Sequence, residues 1–390
     1  MIRGMPIAPL AATLAVQTLA TAALFSIPAI APAIAAALHV SGELVGTFVA
    51  AAYGTGIISA LLSPGLIRRH GGVRATQAVL VAAAGMVATA ATGHLVSLAL
   101  AAVVLGLGYG AAAPASTHLL VPQTPRPVFN LVMSVRQIGV PLGGVLGALV
   151  LPPLSLAIGW RLALLAELAP ILVLLFLMEL PRRRWDAARE PGYTVFGRSL
   201  LQPFAMLRDA RIRRLSVASF VFSGTQLTFV AFMTVQLTSA AGLSLVEAGR
   251  VLALYQIAST VMRPVWGWVA DRFTTPSNTL CVLGFGMAVA CVAAGQIGLG
   301  WPGWAVVVVA LLAGCTAGGY TGVAYADYAH IGGARRTEAT GLGTAIMFAA
   351  VMLIPPLFGV AVTALGGYAV PYGMLALLAV VSAVLLARRA

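Results

Sequence analysis

The stretch Gly267-Trp268-Val269-Ala270-Asp271-Arg272-Phe273 stands between two long apolar runs, and it decides the fold. Its glycine lets two helices approach closely, its aspartate can lie at a helix N-terminus, and its arginine can bind anionic lipid headgroups. An altered copy, Gly65-Leu66-Ile67-Arg68-Arg69-His70-Gly71-Gly72, lies 202 residues upstream. Two copies half a chain apart indicate that the chain arose by duplication.

The composition places the chain in a lipid bilayer. Of its 390 residues, 60% are hydrophobic and 8% are charged, and the mean hydropathy is +0.99. A soluble protein of this kind could not cover its surface with polar groups. The net charge of +13 comes from 23 arginines without a single lysine. No basic stripe alternates with aromatic residues, so we expect no nucleic-acid partner.

Crossing a hydrocarbon core of ~30 Å takes about 20 apolar residues. The chain therefore predicts an N-terminal half over 1–180, a cytoplasmic linker over 181–213 and a C-terminal half over 214–390. A secretory signal is the alternative for the first span, but its apolar run is too long. The predicted spans are 11–37, 44–67, 75–94, 97–121, 130–155, 160–180, 214–241, 245–270, 277–299, 303–327, 338–365 and 369–387.

The arginines set the orientation of these spans. With both termini in the cytoplasm, 19 of the 23 arginines lie on the cytoplasmic side, as the positive-inside rule requires. Arg161 and Arg250 fall outside, and Arg136 and Arg263 lie within spans. The linker, with its Arg182-Arg183-Arg184 cluster, suits a connection on the anionic leaflet. A solvated connector is the favoured interpretation, and a regulatory docking site stays open.

Both loop stretches resemble the motif Gly-x-x-x-Asp-Arg-x-Gly of the major facilitator superfamily, where it follows the second span of each half. The fifth span, Ser134 to Gly147, also resembles that family, and its Arg-Gln-Ile-Gly-Val-Pro-Leu-Gly-Gly run is most similar to the bacterial cyanate and nitroimidazole branch. The resemblance implies an all-α membrane protein with twelve transmembrane helices in two pseudo-symmetric six-helix halves (MFS fold). It also implies secondary transport by alternating access, in a bacterial cytoplasmic (inner) membrane.

Glycines and prolines shape several of the predicted spans. Gly139, Gly143 and Gly147 are four residues apart, so they share one helix face and permit close contact with a neighbouring helix. Prolines interrupt apolar runs elsewhere and predict broken helices, which favour alternating access over a channel. These prolines are Pro28, Pro32, Pro141, Pro355 and Pro356.

Arg136 is the leading candidate for substrate binding. An arginine inside a span is costly unless it faces water, a partner or an anion, and it can hold a carboxylate in a bidentate fork. The alternative is an arginine that caps backbone carbonyls at the cytoplasmic mouth of the span. Further polar side chains lie on spans that line the pathway in the family. These candidates are Gln137, Gln17, Tyr109, Gln226, Tyr255, Gln256 and Tyr320.

The two loop motifs supply candidates for gating. Arg69 stands at the aspartate position of the first motif, whereas Asp271 keeps it in the second. Glu338 opens the eleventh span, where the family places the partner of that aspartate. We therefore hypothesise a reversed ion pair between Arg68 or Arg69 and Glu338. The gating set comprises Gly65, Arg69, Gly267, Asp271, Arg272 and Glu338.

Two titratable side chains within spans are candidates for proton coupling. Glu167 lies inside the sixth span, although a structural pairing is the favoured interpretation. His118 lies near the cytoplasmic end of the fourth span and is ordinarily a titrating group near neutral pH. A histidine that simply satisfies a helix end is the alternative.

The remaining chemistry points away from an enzyme. Cysteine and histidine spacings do not suit a metal, no phosphate-binding Gly-x-x-x-x-Gly-Lys loop exists, and no cofactor is expected. The first span has no acidic residue to bind a cationic drug. We predict a monomeric secondary active transporter of a small organic anion, coupled to H⁺ or to an exchanged anion. The alternatives are efflux of neutral or lipophilic compounds, and a non-transporting receptor on the same fold.

Overall fold

The computed structural model of the protein describes residues 5–39, 44–187, 189–193, 195 and 202–387. Of residues 44–47, 202 and 245 it describes the backbone alone. Four arginines of the topology argument, Arg3, Arg198, Arg388 and Arg389, lie outside the described residues. The same holds for linker positions 188, 194 and 196–201.

Regular structure in the described part of the chain is helical throughout. The first-half and linker helices are α1 Ile7–Ala29, α2 Ala31–Leu38, α3 Leu44–His70, α4 Gly72–Ala91, α5 Leu95–Tyr109, α6 Ala112–Leu120, α7 Phe129–Arg136, α8 Gly139–Ile158, α9 Trp160–Ala166, α10 Leu168–Leu177, α11 Arg182–Trp185 and α12 Gln202–Ala205. The later helices are α13 Ala210–Ser239, α14 Leu245–Arg272, α15 Pro276–Gly295, α16 Gly303–Thr316, α17 Thr321–Gly332, α18 Arg336–Leu365 and α19 Ala369–Ala387.

The helices account for all twelve predicted spans. Ten stretches of the described residues are long and apolar enough to cross a membrane. One of them, Gly303–Leu365, has 63 residues, which is enough for two crossings, the tenth and the eleventh. Helix α14 has 28 residues and supplies the remaining crossing, although charged side chains such as Arg263 make it less apolar. The prediction of an all-α protein with twelve transmembrane helices is confirmed.

Several spans consist of two helices instead of one. The paired helices are α1–α2, α5–α6, α7–α8, α9–α10 and α16–α17. Pro28 and Pro32 flank the first interruption, as the sequence predicts. The predicted break at Pro355 and Pro356 is wrong, because both lie inside α18, which continues to Leu365. A membrane helix can bend at proline and continue where neighbouring groups satisfy the freed backbone.

Cα proximity groups the chain into two compact units. Unit 1 comprises Met1–Thr124, Arg136–Ala205 and Gly332–Ala345. Unit 2 comprises Pro125–Val135, Met206–Ile331 and Ile346–Ala390. Within unit 1, α8 packs along α1, and α5 packs against α3 and α4. Within unit 2, α15 packs along α19, and α14 packs against α16.

The glycine face of α8 explains its contact with α1. A Cβ atom on Gly143 would lie 2.4 Å from the carbonyl oxygen of Thr18, and one on Gly139 would lie 2.9 Å from that of Leu14. Only glycine fits at such distances, so the predicted close helix contact is confirmed. The contact also brings the residues just before α8 next to Gln17 of α1.

Candidate functional site

Arg136 is the centre of a buried polar cluster in unit 1. Its side chain has no solvent exposure, and it ends α7 just before the interruption that precedes α8. Its Nη1 donates to Gln17 Oε1 at 3.2 Å and to Ser116 Oγ at 3.3 Å. Its Nη2 donates to the Gln137 side-chain carbonyl. The guanidinium group is therefore held in place by neutral acceptors on α1, on α6 and in the turn between α7 and α8.

A second layer of hydrogen bonds extends the cluster along α1. Gln17 Nε2 donates to Thr21 Oγ1 at 3.1 Å and to the Tyr109 hydroxyl at 3.4 Å. Thr21 and Tyr109 also share a hydrogen bond of 3.1 Å. Four predicted residues, Arg136, Gln137, Gln17 and Tyr109, thus come together. We call them, with Ser116 and Thr21, the Arg136 cluster.

Sequence reasoning missed two members of this cluster. Thr21 follows Gln17 by four residues, so helical periodicity alone places both on one face of α1. Ser116 gives no such signal, because its contact with Arg136 depends on how α6 packs. Chemically, the cluster presents a buried cation with neutral donors beside it. Such an arrangement suits a carboxylate better than a cation or an apolar molecule.

The predicted residues of unit 2 do not form a comparable cluster among the described contacts. Tyr255 donates its hydroxyl to the backbone carbonyl of Gln226 at 3.3 Å. The Gln256 carbonyl accepts a bond from Thr260, one turn further along the helix. Tyr320 is fully buried, and its ring packs edge-on against Phe222 at 5.5 Å between centroids.

The two candidates for proton coupling make no described hydrogen bond to the Arg136 cluster. Glu167 stands at the junction of α9 and α10 and accepts a hydrogen bond from Ser26 of α1. His118 lies in α6, where its ring faces Gly72 at the start of α4. Neither residue shares a described hydrogen bond with Arg136.

The second loop motif holds the start of α7. Asp271 Oδ1 accepts bonds from the Asn130 amide at 3.0 Å and from Asn130 Nδ2 at 2.8 Å. Asp271 Oδ2 accepts from the Leu131 amide at 2.8 Å. The carboxylate therefore satisfies free amides at a helix N-terminus, where a negative charge is favourable. Gly267 permits this, because a Cβ there would lie 2.6 Å from the Asn130 carbonyl oxygen. Arg272 ends α14 beside it.

The first loop motif makes a different set of contacts, all in unit 1. Arg68 Nη1 lies 3.7 Å from Glu338 Oε1, and Arg68 Nη2 lies 3.0 Å from both carboxylate oxygens of Glu190 in the linker. Arg69, its neighbour, is exposed. Gly65 faces Val195, another linker residue. Arg68 therefore joins the linker to the start of α18.

Comparison with known proteins agrees with this architecture. The sequence profile of the Major Facilitator Superfamily matches residues 13–330 and 215–390, which together cover most of the chain. The chain belongs to the major facilitator superfamily. The family and the similar proteins are transporters and not enzymes. This facilitator is 29% identical over 280 residues to the 4-hydroxybenzoate transporter PcaK of Pseudomonas aeruginosa. That alignment covers 63% of the facilitator and 61% of PcaK, which is less than two thirds of the relative.

Solved structures with the same fold extend over nearly the whole facilitator. The E. coli fucose:proton symporter FucP superposes with a TM-score of 0.77 at 14% identity, covering 98% of this chain and 99% of FucP. The proton:xylose symporter XylE gives 0.73 at 15% identity, covering 98% and 95%. The human organic anion transporter MFSD10 gives 0.77 at 15% identity, covering 98% and 99%. At these identities the likeness concerns the fold alone.

Proposed function

We propose that this facilitator is a secondary active transporter of a small organic anion, with Arg136 as the residue that binds the anionic group. The observation that carries the proposal is the complete burial of the Arg136 guanidinium within a membrane span. A charged side chain there costs about 2.5–3.5 kcal/mol. Neutral acceptors from Gln17 and Ser116 offset part of that cost, and a bound carboxylate would offset more.

The relative PcaK supports an organic acid as the substrate class. PcaK is a 4-hydroxybenzoate transporter. An aromatic hydroxy acid offers one carboxylate and one hydroxyl, which match a guanidinium and nearby hydroxyl groups such as those of Thr21 and Tyr109. The cyanate and nitroimidazole branch stays a prediction that depends on the motif around Arg136.

The rest of the predicted setting belongs to the same proposal. The facilitator would act as a monomer in a bacterial inner membrane, with both termini in the cytoplasm. Transport would be coupled to H⁺ or to an exchanged anion, with Glu167 and His118 as candidate proton carriers. Gln226, Tyr255, Gln256 and Tyr320 stay candidates for polar contacts with the substrate.

Ligand-dependent thermal unfolding of the detergent-purified protein tests the proposal. The panel consists of 4-hydroxybenzoate, benzoate, cyanate, the neutral analogue benzamide and the lipophilic cation tetraphenylphosphonium. A ligand at 100 times its Kd adds about 2.7 kcal/mol to the apparent stability of the folded state. We expect stabilisation by at least one anion. In Arg136→Gln, its Kd should rise at least tenfold, because a charge-assisted bond contributes about 1.5–3 kcal/mol.

Arg161→Gln is the matched control. Arg161 is exposed at the start of α9 and lies outside the Arg136 cluster. This control should bind anions as the wild type does. Stabilisation by benzamide or the cation alone, equal in wild type and Arg136→Gln, would refute the anion proposal and favour efflux of lipophilic compounds. Absence of saturable uptake into proteoliposomes would favour the receptor alternative.

A further inference from the structure

Three consecutive arginines follow the sixth span. Leu177, the last residue of α10, also ends a stretch that is long and apolar enough to cross a membrane. Hydrogen-bonded turns connect it to α11, Arg182–Trp185, so no extended segment lies between them. At ~1.5–2 Å per residue, Arg183 lies at most roughly 12 Å beyond the apolar stretch. The polar headgroup layer is about 5–8 Å thick on each side of a bilayer, so an arginine side chain at this position can reach it.

Apolar and aromatic side chains mark the membrane boundary next to these arginines. The Phe176 side chain is 72% exposed and that of Leu180 is 81% exposed, which suits contact with lipid chains in a membrane protein. Trp185, which ends α11, is half-buried. Tryptophan is enriched where the hydrocarbon core meets the headgroups. The chain therefore passes from lipid-facing apolar groups to cations and an indole within ten residues.

The arginines of α11 differ in whether they have an acidic partner. Arg182 forms an ion pair with Glu179, and Glu179 also lies 3.0 Å from Arg74 Nη1. Arg183 and Arg184 are exposed, and neither forms an ion pair with a carboxylate of the described residues. The planar fork of a guanidinium group matches two oxygens of one phosphate. Two such groups therefore remain available to an anion at the membrane surface.

Helix α11 is held against α4 on both of its flanks. On the N-terminal flank, the Glu179 carboxylate binds Arg74 in the first turn of α4. On the C-terminal flank, Asp186 Oδ1 accepts a hydrogen bond from the Val73 amide at 2.8 Å. Gly71 permits this second contact, because a Cβ there would lie 2.2 Å from the carboxyl carbon of Asp186. Since the backbone of α11 is already fixed, binding a ligand costs little further ordering.

We infer that Arg183 and Arg184 bind the phosphate of an anionic phospholipid, with Trp185 at the level of the headgroups. A lipid with a net negative charge, such as phosphatidylglycerol, is favoured over a zwitterionic lipid, because the exposed groups of α11 are cations. Lipid bound to α11 also stabilises the folded linker, since Asp186 follows α11 directly and caps α4. This site shares no residue with the Arg136 cluster, and its ligand is a membrane lipid instead of the transported substrate.

Lipid titrations of the full-length protein in a neutral detergent test this site. Apparent melting temperatures are measured against the mole fraction of phosphatidylglycerol in the micelles, with phosphatidylcholine and inorganic phosphate as separate titrants. Phosphatidylglycerol should stabilise the wild type saturably, whereas phosphatidylcholine and free phosphate should not. In the double variant Arg183→Gln with Arg184→Gln, the half-saturating mole fraction should rise about 25-fold, since each arginine contributes about fivefold.

Arg161→Gln with Arg250→Gln is the matched control. It also removes two exposed arginines, but from α9 and α14, and it leaves α11 unchanged. Its half-saturating mole fraction of phosphatidylglycerol should equal that of the wild type. Arg183→Lys with Arg184→Lys keeps both charges and loses the planar fork, so its half-saturating mole fraction should lie between those of the wild type and the glutamine double variant.

Three outcomes would refute the lipid site. The first is a wild type that phosphatidylglycerol does not stabilise, or that phosphatidylcholine or inorganic phosphate stabilises equally. The second is an equal half-saturating mole fraction in the wild type and the glutamine double variant, which would assign the stabilisation to the general lipid environment. The third is a lower lipid-free melting temperature with an unchanged half-saturating mole fraction, which would give the arginines a structural role. If the double variant does not fold, Arg183→Gln and Arg184→Gln decide singly, with a rise of about fivefold expected from each.

Discussion

At the scale of single residues, the two loop motifs differ in the sign of one charge. Asp271 keeps the acidic group and uses it to hold amides at the start of α7. The first motif has arginines instead, and Arg68 lies 3.7 Å from Glu338 in the first turn of α18. Glu338 is itself favourable at a helix N-terminus, so here the acid stands at the start of α18 and the base stands in the last turn of α3.

A charge exchange tests whether this pair is energetically coupled. Glu338→Arg places two cations together and should lower the free energy of unfolding by about 1 kcal/mol, as should Arg68→Glu. The double variant Arg68→Glu with Glu338→Arg restores opposite charges. A double-mutant cycle on apparent melting temperatures should therefore give a coupling of about 0.5–1 kcal/mol. Rescue will be partial, because Glu190 then faces Glu at position 68.

Arg69 provides the control for this exchange. It is the adjacent arginine, it is exposed, and Arg68 is the described ion-pair partner of Glu338. Combining Arg69→Glu with Glu338→Arg should give an additive loss without rescue. A coupling as large as that of the Arg68 pair would instead assign the contact to Arg69.

At the scale of elements, the linker binds the end of unit 1 that carries the first loop motif. Asp186, just after α11, accepts hydrogen bonds from the amides of Val73 at 2.8 Å and Arg74 at 3.4 Å, so it caps the N-terminus of α4. The Tyr193 ring packs on the Arg68 guanidinium at 4.3 Å. Burial raises the pKa of the Asp186 carboxyl, while the two amide hydrogen bonds oppose that rise.

Two substitutions at Asp186 separate the cap from its charge. Asp186→Ala should lower the free energy of unfolding by about 1 kcal/mol, because the amides of Val73 and Arg74 lose their acceptor. Asp186→Asn keeps one acceptor oxygen, so the free energy of unfolding should change little. The wild-type pKa is higher in the folded state than in the unfolded chain, where it is about 3.9. The folded state therefore binds the proton more tightly, and stability decreases as pH rises from the unfolded pKa through the folded one.

Melting temperatures measured between pH 4 and pH 7 check both expectations. The pH-dependent decrease due to Asp186 should disappear in Asp186→Asn, since an amide does not titrate. Equal destabilisation by Asn and Ala would show that the carboxylate charge, and not a capping acceptor, stabilises α4.

The elements also show how far the sequence could predict this molecule. Hydrophobic length predicted all twelve spans, because crossing a bilayer imposes a minimum run on each. The α16–α17 interruption escaped prediction. It lies where Gly318 packs against Ser259, a contact between two spans that the local sequence does not specify. The sequence identified Arg136 as a charged residue inside an apolar span, but it did not identify Ser116 as its partner. Arg263 was visible as a buried charge but had no motif around it.

At the scale of the whole molecule, the arginine distribution predicts the orientation. Of the 23 arginines, 19 fall on one side when both termini are cytoplasmic. The linker is predicted to lie on that side, and its Asp186, Glu190 and Tyr193 contacts all lie on the end of unit 1 that carries the first loop motif. The loop before α16 is predicted to lie on the opposite side. One position in each segment therefore suffices to test the orientation.

Gly192 and Gly303 are suitable positions, because both are exposed and a Cβ at either would meet no atom within 4 Å. In a background with Cys281, Cys291 and Cys315 changed to alanine, a membrane-impermeant maleimide should label Gly303→Cys in intact host cells. It should label Gly192→Cys only in inside-out vesicles. Labelling of Gly192→Cys in intact cells, with Gly303→Cys protected, would reverse the orientation. The Arg68–Glu338 contact would then lie at the outer mouth, and the positive-inside argument would fail for this chain.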